Sequence, residues 1–248
     1  MNNKTPLTTP DFLTVLNASI GFLAITYIID ERLWLASVLI IVCVALDGID
    51  GALARYLGVE HELGAYLDFF SDIISFCFAP ALLLYYTYYD EGLGRGWEHP
   101  QNALATLVPF IIVFLGTMRL ARFVDKNSEK IFYTGLPTPC LALIILLLSY
   151  LLGWGTTGFD EPYYTLGIIG VLSLLLYTSI EYPKFRTRRT QLAGASFLIL
   201  IFTGFLSSVL SHRFGFIILT FTTLLLLGYV FISPFILKIY EGKKREHG

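Results

Sequence analysis

Long apolar stretches separated by brief polar interruptions dominate the chain. They fall at about 11–29, 33–53, 64–88, 102–122, 137–154, 163–179, 192–211 and 215–239. Most reach the roughly 17 to 25 residues that a bilayer-spanning helix requires. The pattern predicts about eight spans. The fifth and sixth are short, and only Ser211, His212, Arg213 and Phe214 separate the seventh from the eighth. No connection is long enough to hold a soluble domain, and no repeat with a period of about 20 to 50 residues stands out. The expected fold is therefore an all-α integral membrane protein, a single membrane domain over residues 1–248. The opening MNNKTPLTTP carries one lysine, and the apolar run after it lacks a small-residue cleavage site, which predicts a retained first span rather than a removed leader.

Composition agrees with this pattern. Hydrophobic residues make up 55% and charged residues 15% of the chain, with a mean hydropathy of +0.68, whereas a soluble domain carries about 25% charged residues. The net charge of -2 says little by itself, because in a membrane protein the position of each charge matters more than the sum. Lys and Arg concentrate in cytoplasmic loops. With a cytoplasmic N-terminus, the inner segments collect Lys4, Arg55, Arg119, Arg122, Lys126, Lys130, Lys184, Arg186, Arg188, Arg189, Lys238, Lys243, Lys244 and Arg245. Only Arg32, Arg95 and Arg213, of 17 cations in all, fall outside. Trp34, Tyr85, Tyr86, Trp97, Tyr150, Trp154, Tyr163 and Tyr164 then gather near the outer interface as an aromatic belt. Cys43, Cys77 and Cys140 stand singly in apolar runs and read as buried thiols.

One segment breaks the apolar rule. Between Asp47 and Asp72 the chain reads DGIDGALARYLGVEHELGAYLDFFSD. An acidic side chain at the centre of a membrane helix costs about 2.5 to 3.5 kcal/mol, and two carboxylates about 4 Å apart repel by roughly 4 kcal/mol at an effective dielectric near 20. Asp47, Asp50, Asp68 and Asp72 thus need protons or cations among them. Asp47, Asp50, Gly51, Ala54 and Arg55 share one helix face, and Gly64, Asp68 and Asp72 recur every fourth residue on the next. The connection through Gly58, Glu60, His61 and Glu62 lets the two faces meet. Converging carboxylates suit hard divalent cations, and two ions about 3.5 to 4 Å apart form a clamp for phosphoryl or pyrophosphate oxygens. Gly51, Ala54 and Gly64 clear space for a ligand, or simply allow close helix packing. Arg55 offers a planar fork for phosphate.

The segment matches D-x-x-D-G-x-x-A-R-x8-G-x-x-x-D-x-x-x-D at every fixed position, and in this it resembles the CDP-alcohol phosphotransferase family. The resemblance implies a six-helix membrane core, a CDP-activated lipid donor, an alcohol acceptor, two Mg2+ or Mn2+ ions and CMP as leaving group. It also implies a homodimer, and no nucleic-acid partner is expected. Carried over position by position, Asp47, Asp50, Asp68 and Asp72 are the expected metal ligands, with Asp72 also the general base. Gly51, Ala54 and Gly64 would flank the nucleotide and Arg55 would meet phosphate.

For the acceptor, TPDFLTVLNASIGFLAI and MRLARF followed by FYTGLPTPCLAL resemble the phosphatidylserine (or archaetidylserine) synthase branch. The branch often has Pro-Asn where this chain has Pro10-Asp11, so no binding role passes to Asp11. Asn17 stands where branches using phosphorylated acceptors tend to carry arginine, which suits a smaller alcohol. L-serine brings a carboxylate, and Arg119 and Arg122, with Lys126 and Lys130 behind them, are the candidate cations; cytoplasmic anchoring alone also accounts for basic residues there. Lys184, Arg186, Arg188 and Arg189 read as topology and headgroup attraction, and Gly135, Leu136, Pro137 and Pro139 as a helix start or a pocket wall. His61, His99, His212 and His247 have no ligand spacing, and Glu60 and Glu62 read as solvated. The expected reaction is serine O-phosphatidyl transfer at the cytoplasmic face of a prokaryotic cell membrane. Inositol phosphate, glycerol phosphate or choline are alternative acceptors. A cation transporter is the alternative of another class, although such proteins hold their ions near the midplane on broken helices.

Overall fold

The computed structural model describes residues 7–59, 61–94, 96–125, 132–154, 162–183 and 188–246. Lys4, Glu60, Arg95, Lys126, Lys130, Lys184, Arg186 and His247 lie outside the described residues, as do the side chains of Arg188, Arg189, Lys238, Lys243, Lys244 and Arg245. Helices follow all eight apolar runs: α1 (Thr9–Ile29), α2 (Leu33–Leu57), α3 (Glu62–Tyr88), α4 (Pro100–Asp125), α5 (Thr138–Trp154), α6 (Pro162–Tyr177), α7 (Arg188–Leu210) and α8 (His212–Glu246). Six of them are long and apolar enough to cross a membrane; α5 and α6, the two short runs, are apolar but shorter. The protein is an all-α integral membrane protein. The chain divides into two compact units, Met1–Ser128 and Glu129–Gly248.

In the first unit α1 packs against α2 and α3, and α3 against α4. Thr8 starts α1, its N–H donating to Asp11 Oδ2 over 2.6 Å, with Pro10 in the first turn; a carboxylate at the third helical position and an early proline are both start signals. The buried residues of α1 are Pro10, Asp11, Thr14, Asn17, Gly21, Ala24 and Ile28, one stripe at three- and four-residue steps. Its other flank is apolar and open: Phe12 is 66% and Phe22 63% exposed, whereas Asn17 is 1% exposed. A helix with its polar residues inside and its phenylalanines outside is stable only where hydrocarbon is the solvent.

The turn from α2 to α3 is built by Gly58 and His61. Gly58 is left-handed, with φ 63°, and the Val59 N–H returns to the Ala54 carbonyl over 3.2 Å, the closing bond of a glycine C-cap. His61 then caps α3, its Nδ1 accepting from the Gly64 N–H at 3.0 Å. Directly after Asp72, α3 widens into a π-helical turn, Ile73–Phe78. Such bulges shift the register of everything beyond them and favour functional sites. Here the turn brings Ser75 onto Gly21: a Cβ on Gly21 would collide with the Ser75 hydroxyl, so α1 and α3 touch almost backbone to backbone. Beyond the turn, Asn102 at the start of α4 is buried and ties the connection, donating to the Asp90 and Gly94 carbonyls at 2.7 Å each.

The second unit holds a feature that the apolar pattern did not announce. Strands β1 (Phe132–Thr134) and β2 (Glu181–Pro183) pair antiparallel, Tyr133 opposite Tyr182. Gly135 follows β1 with φ 79°, and a side chain there would strike the Leu176 carbonyl, so this glycine marks a close backbone crossing. Helix α5 is buried all round from Leu141 to Leu147. Helices α7 and α8 form a hairpin in which Gly204 lies against Leu219 and Gly215 against Ser208, small residues letting the two backbones approach.

Candidate active site

The last three turns of α2 and the first three of α3 carry the acids. Carboxylate oxygens of Asp47, Asp50 and Asp68 lie within 4.8 Å of one another. Asp50 is buried and the other two are half-buried. Asp72, one turn beyond Asp68, is buried, and its charge is felt together with those of Asp47, Asp68 and Asp50. Its Oδ1 has no hydrogen-bond partner among the described residues. The four-residue spacing on α3 and the three-residue spacing on α2 thus deliver one acidic patch, as the helix geometry requires.

Two arginines answer it. Arg119 of α4 is only 7% exposed and interacts electrostatically with Asp47 and Asp72. Arg55 is exposed and acts on Asp47 and Asp50. Its Nη1 lies 3.4 Å from where a Gly51 Cβ would stand, so the guanidinium lies alongside that glycine, in ordinary contact distance of a methyl group at position 51. Arg122, one turn after Arg119, is exposed. Burial therefore separates two residues that the sequence offered as near equals.

The remaining candidates sit around this patch. Ala54 is half-buried beside Arg55. A side chain on Gly64 would point at Asp11 Oδ1, 3.1 Å away, and at His61. Asn17 is buried where α1 crosses α2 and α3, its carbonyl accepting from Ser75 Oγ at 3.2 Å and from Cys43 Sγ at 3.5 Å. Glu62 is exposed, as expected of a solvated acid.

One polar residue, Thr14, escaped the sequence reading, and two others, Asp11 and His61, were given no role by it. Thr14 Oγ1 donates to Asp50 Oδ2 at 2.8 Å. Asp11 Oδ2 accepts from Thr8 and lies 3.0 Å from His61 Nε2, which joins the start of α1 to the cap of α3. Because His61 Nδ1 accepts from Gly64, the ring proton belongs on Nε2 and donates to Asp11. A signal was present. Asp11, Thr14 and Asn17 recur at three-residue steps in an otherwise lipid-like helix, and polar residues in a span by default face a partner.

Residues 7–180 match the family model described as CDP-alcohol phosphatidyltransferase. The chain belongs to the CDP-alcohol phosphatidyltransferase family. Among its relatives, the archaetidylserine synthase of Methanothermobacter thermautotrophicus is 37% identical over 177 residues, covering 71% of this chain and 69% of that protein. The CDP-diacylglycerol–serine O-phosphatidyltransferase of Methanocaldococcus jannaschii is 32% identical over 180 residues, covering 72% and 75%. The protein of the same name from Helicobacter pylori is 28% identical over 204 residues, covering 78% of each chain.

A CDP-alcohol phosphatidyltransferase is an enzyme of phospholipid synthesis, so the protein is a transferase rather than a cation transporter. The donor set also passes a chemical test for a divalent metal. It consists of carboxylate oxygens only, as hard cations prefer. Four acids face two arginines, so the patch needs protons or cations to balance it, and the buried Asp72 Oδ1 has no donor among the described residues. A bound cation would answer both.

Proposed function

We propose that the protein transfers a phosphatidyl-type group from a CDP-activated lipid to the hydroxyl of L-serine, releasing CMP, at the cytoplasmic face of a prokaryotic cell membrane. The observation that carries the reading is the buried Oδ1 of Asp72, without a hydrogen-bond partner among the described residues, next to the cluster of Asp47, Asp50 and Asp68. A carboxylate oxygen kept free of donors inside such a cluster suits a ligand and a proton acceptor.

In this reading the serine oxygen attacks the lipid-side phosphorus. The new O–P bond forms as the bond from that phosphorus to the CMP oxygen breaks, and the hydroxyl proton passes to Asp72. Asp47, Asp50, Asp68 and Asp72 would hold two Mg2+ or Mn2+ ions, which when bound supply positive charge to the pyrophosphate. Arg119, buried and facing the acids, is the cation for the serine carboxylate, and Arg55, lying over Gly51, meets a donor phosphate. Gly51 and Ala54 line the nucleotide, whereas the space beside Gly64 is taken by Asp11 and His61. Asn17 adds no charge to the acceptor side, in keeping with an alcohol that lacks a phosphate. The names of the relatives support serine, and the crowding of Lys and Arg on one side of the spans supports the cytoplasmic placement.

The test uses the full-length protein in detergent with a CDP-activated lipid, Mn2+ and a panel of alcohols. CMP release should require serine and stop when EDTA removes the metal. Release with glycerol phosphate, inositol phosphate or choline in place of serine would overturn the acceptor assignment, and release undiminished by EDTA would overturn the metal site.

A further inference from the structure

We infer that Thr14 is a positioning residue: its hydroxyl orients the Asp50 carboxylate so that one oxygen is held within the protein and the other is offered to a divalent cation. This rests on the metal-site reading of Asp50 given above.

Thr14 Oγ1 has two acceptors within reach, the Pro10 carbonyl at 3.1 Å and Asp50 Oδ2 at 2.8 Å. A hydroxyl has one hydrogen, and a charged acceptor at the shorter distance takes it. Both residues are buried, so water does not compete for that bond. In a helix threonine divides between two χ1 rotamers, and the one adopted here places the hydroxyl within reach of both the Pro10 carbonyl and Asp50 Oδ2.

The aim depends on how α1 is rotated, and the turns on either side of Thr14 hold that rotation. Three residues before it, Asp11 is tied to His61 at the cap of α3. Three residues after it, Asn17 receives the Ser75 hydroxyl, and one turn further Gly21 lies against Ser75. The buried stripe of α1 therefore locks one helix to two others, with Thr14 midway between the locks. Asp50 is engaged in this way through Oδ2, while Asp72 Oδ1 has no hydrogen-bond partner among the described residues. Groups that orient a ligand from behind commonly change metal affinity by about 10- to 100-fold when removed.

The experiment compares Thr14→Val, close in shape but unable to donate, with Thr14→Ser, which keeps the hydroxyl. Mn2+ binding to each full-length protein in detergent is measured by electron paramagnetic resonance without substrate, alongside thermal unfolding. Thr14→Val should bind Mn2+ about 10- to 100-fold more weakly, and Thr14→Ser should stay within about threefold of the native chain. Native Mn2+ affinity in a folded Thr14→Val protein would overturn the positioning role and leave the metal site standing. Equal weakening in both variants would also overturn it, since the hydroxyl would then not be what matters. Absence of Mn2+ binding by the native chain would overturn the metal-site reading itself and this inference with it.

Discussion

The two units of the chain bury different chemistry. In the first, the buried polar residues include Asp11, Thr14, Asn17, Asp50, Asp72, Asn102 and Arg119. In the second, the buried polar side chains among the described residues are hydroxyls only: Thr138, Ser149, Thr165, Ser173, Ser208, Thr222 and Thr223. The difference shows in how each is satisfied. Ser173, Ser208, Thr222 and Thr223 donate to carbonyls three or four residues back on their own helix, a local solution that needs no neighbour. Asp50, Asn17 and Asp11 take partners from other segments. A carboxylate in hydrocarbon costs too much to be carried without compensation, so the first unit is where position has been traded for chemistry. The second unit has an apolar core, its helix α5 buried from Leu141 to Leu147.

That contrast can be broken by experiment. The largest effect is expected at Asp72. Asp72→Asn keeps the shape but removes the proton acceptor, and should lower the rate of CMP release by about 10²- to 10⁴-fold. Thermal unfolding should come no earlier than in the native chain, because one of four mutually repelling acids has lost its charge. Near-native release would remove Asp72 from the chemistry.

Next in size is a cavity in the second unit. Ile144 is fully buried in α5, and Ile144→Ala should cost about 2 to 5 kcal/mol of stability, read from the unfolding temperature in detergent. The serine KM of the protein that remains folded should not change. A selective rise in KM would mean that the second unit does more than pack.

The smallest effect tests the seam inside the first unit. His61→Ala removes the cap of α3 and the partner of Asp11, and should cost about 1 kcal/mol. His61→Asn, which restores a cap acceptor, should recover part of it. Unfolding of both variants at the native temperature would mean that this capping bond contributes nothing.

Much of the architecture was legible because membrane solvent imposes a simple rule. Each apolar run became a helix, and the two short runs became the two short helices α5 and α6. The acids at positions 47, 50, 68 and 72 were legible as a cluster because helical periodicity fixes which side chains share a face. Less could be read where the answer lay in a neighbouring segment. Arg119 and Arg122 look alike as residues three apart at the end of one span, yet one is buried against the acids and the other is exposed. Gly64 shares the acidic face of α3, yet the room it leaves is filled by Asp11 and His61. The pairing of β1 with β2 joins segments far apart in the chain, with only three residues on each side to signal it.

Taken alone, the order of residues determined the class of protein, the number of apolar helices and the identity of the acidic face. Each of these depends on local periodicity and on the cost of placing charge in hydrocarbon. The tertiary structure decided which arginine meets the acids, where the π-helical turn after Asp72 brings α3 onto α1, and that Thr14 stands behind Asp50. Those are contacts between helices, set by rotation and register, and a single helix carries no record of what will lie against it.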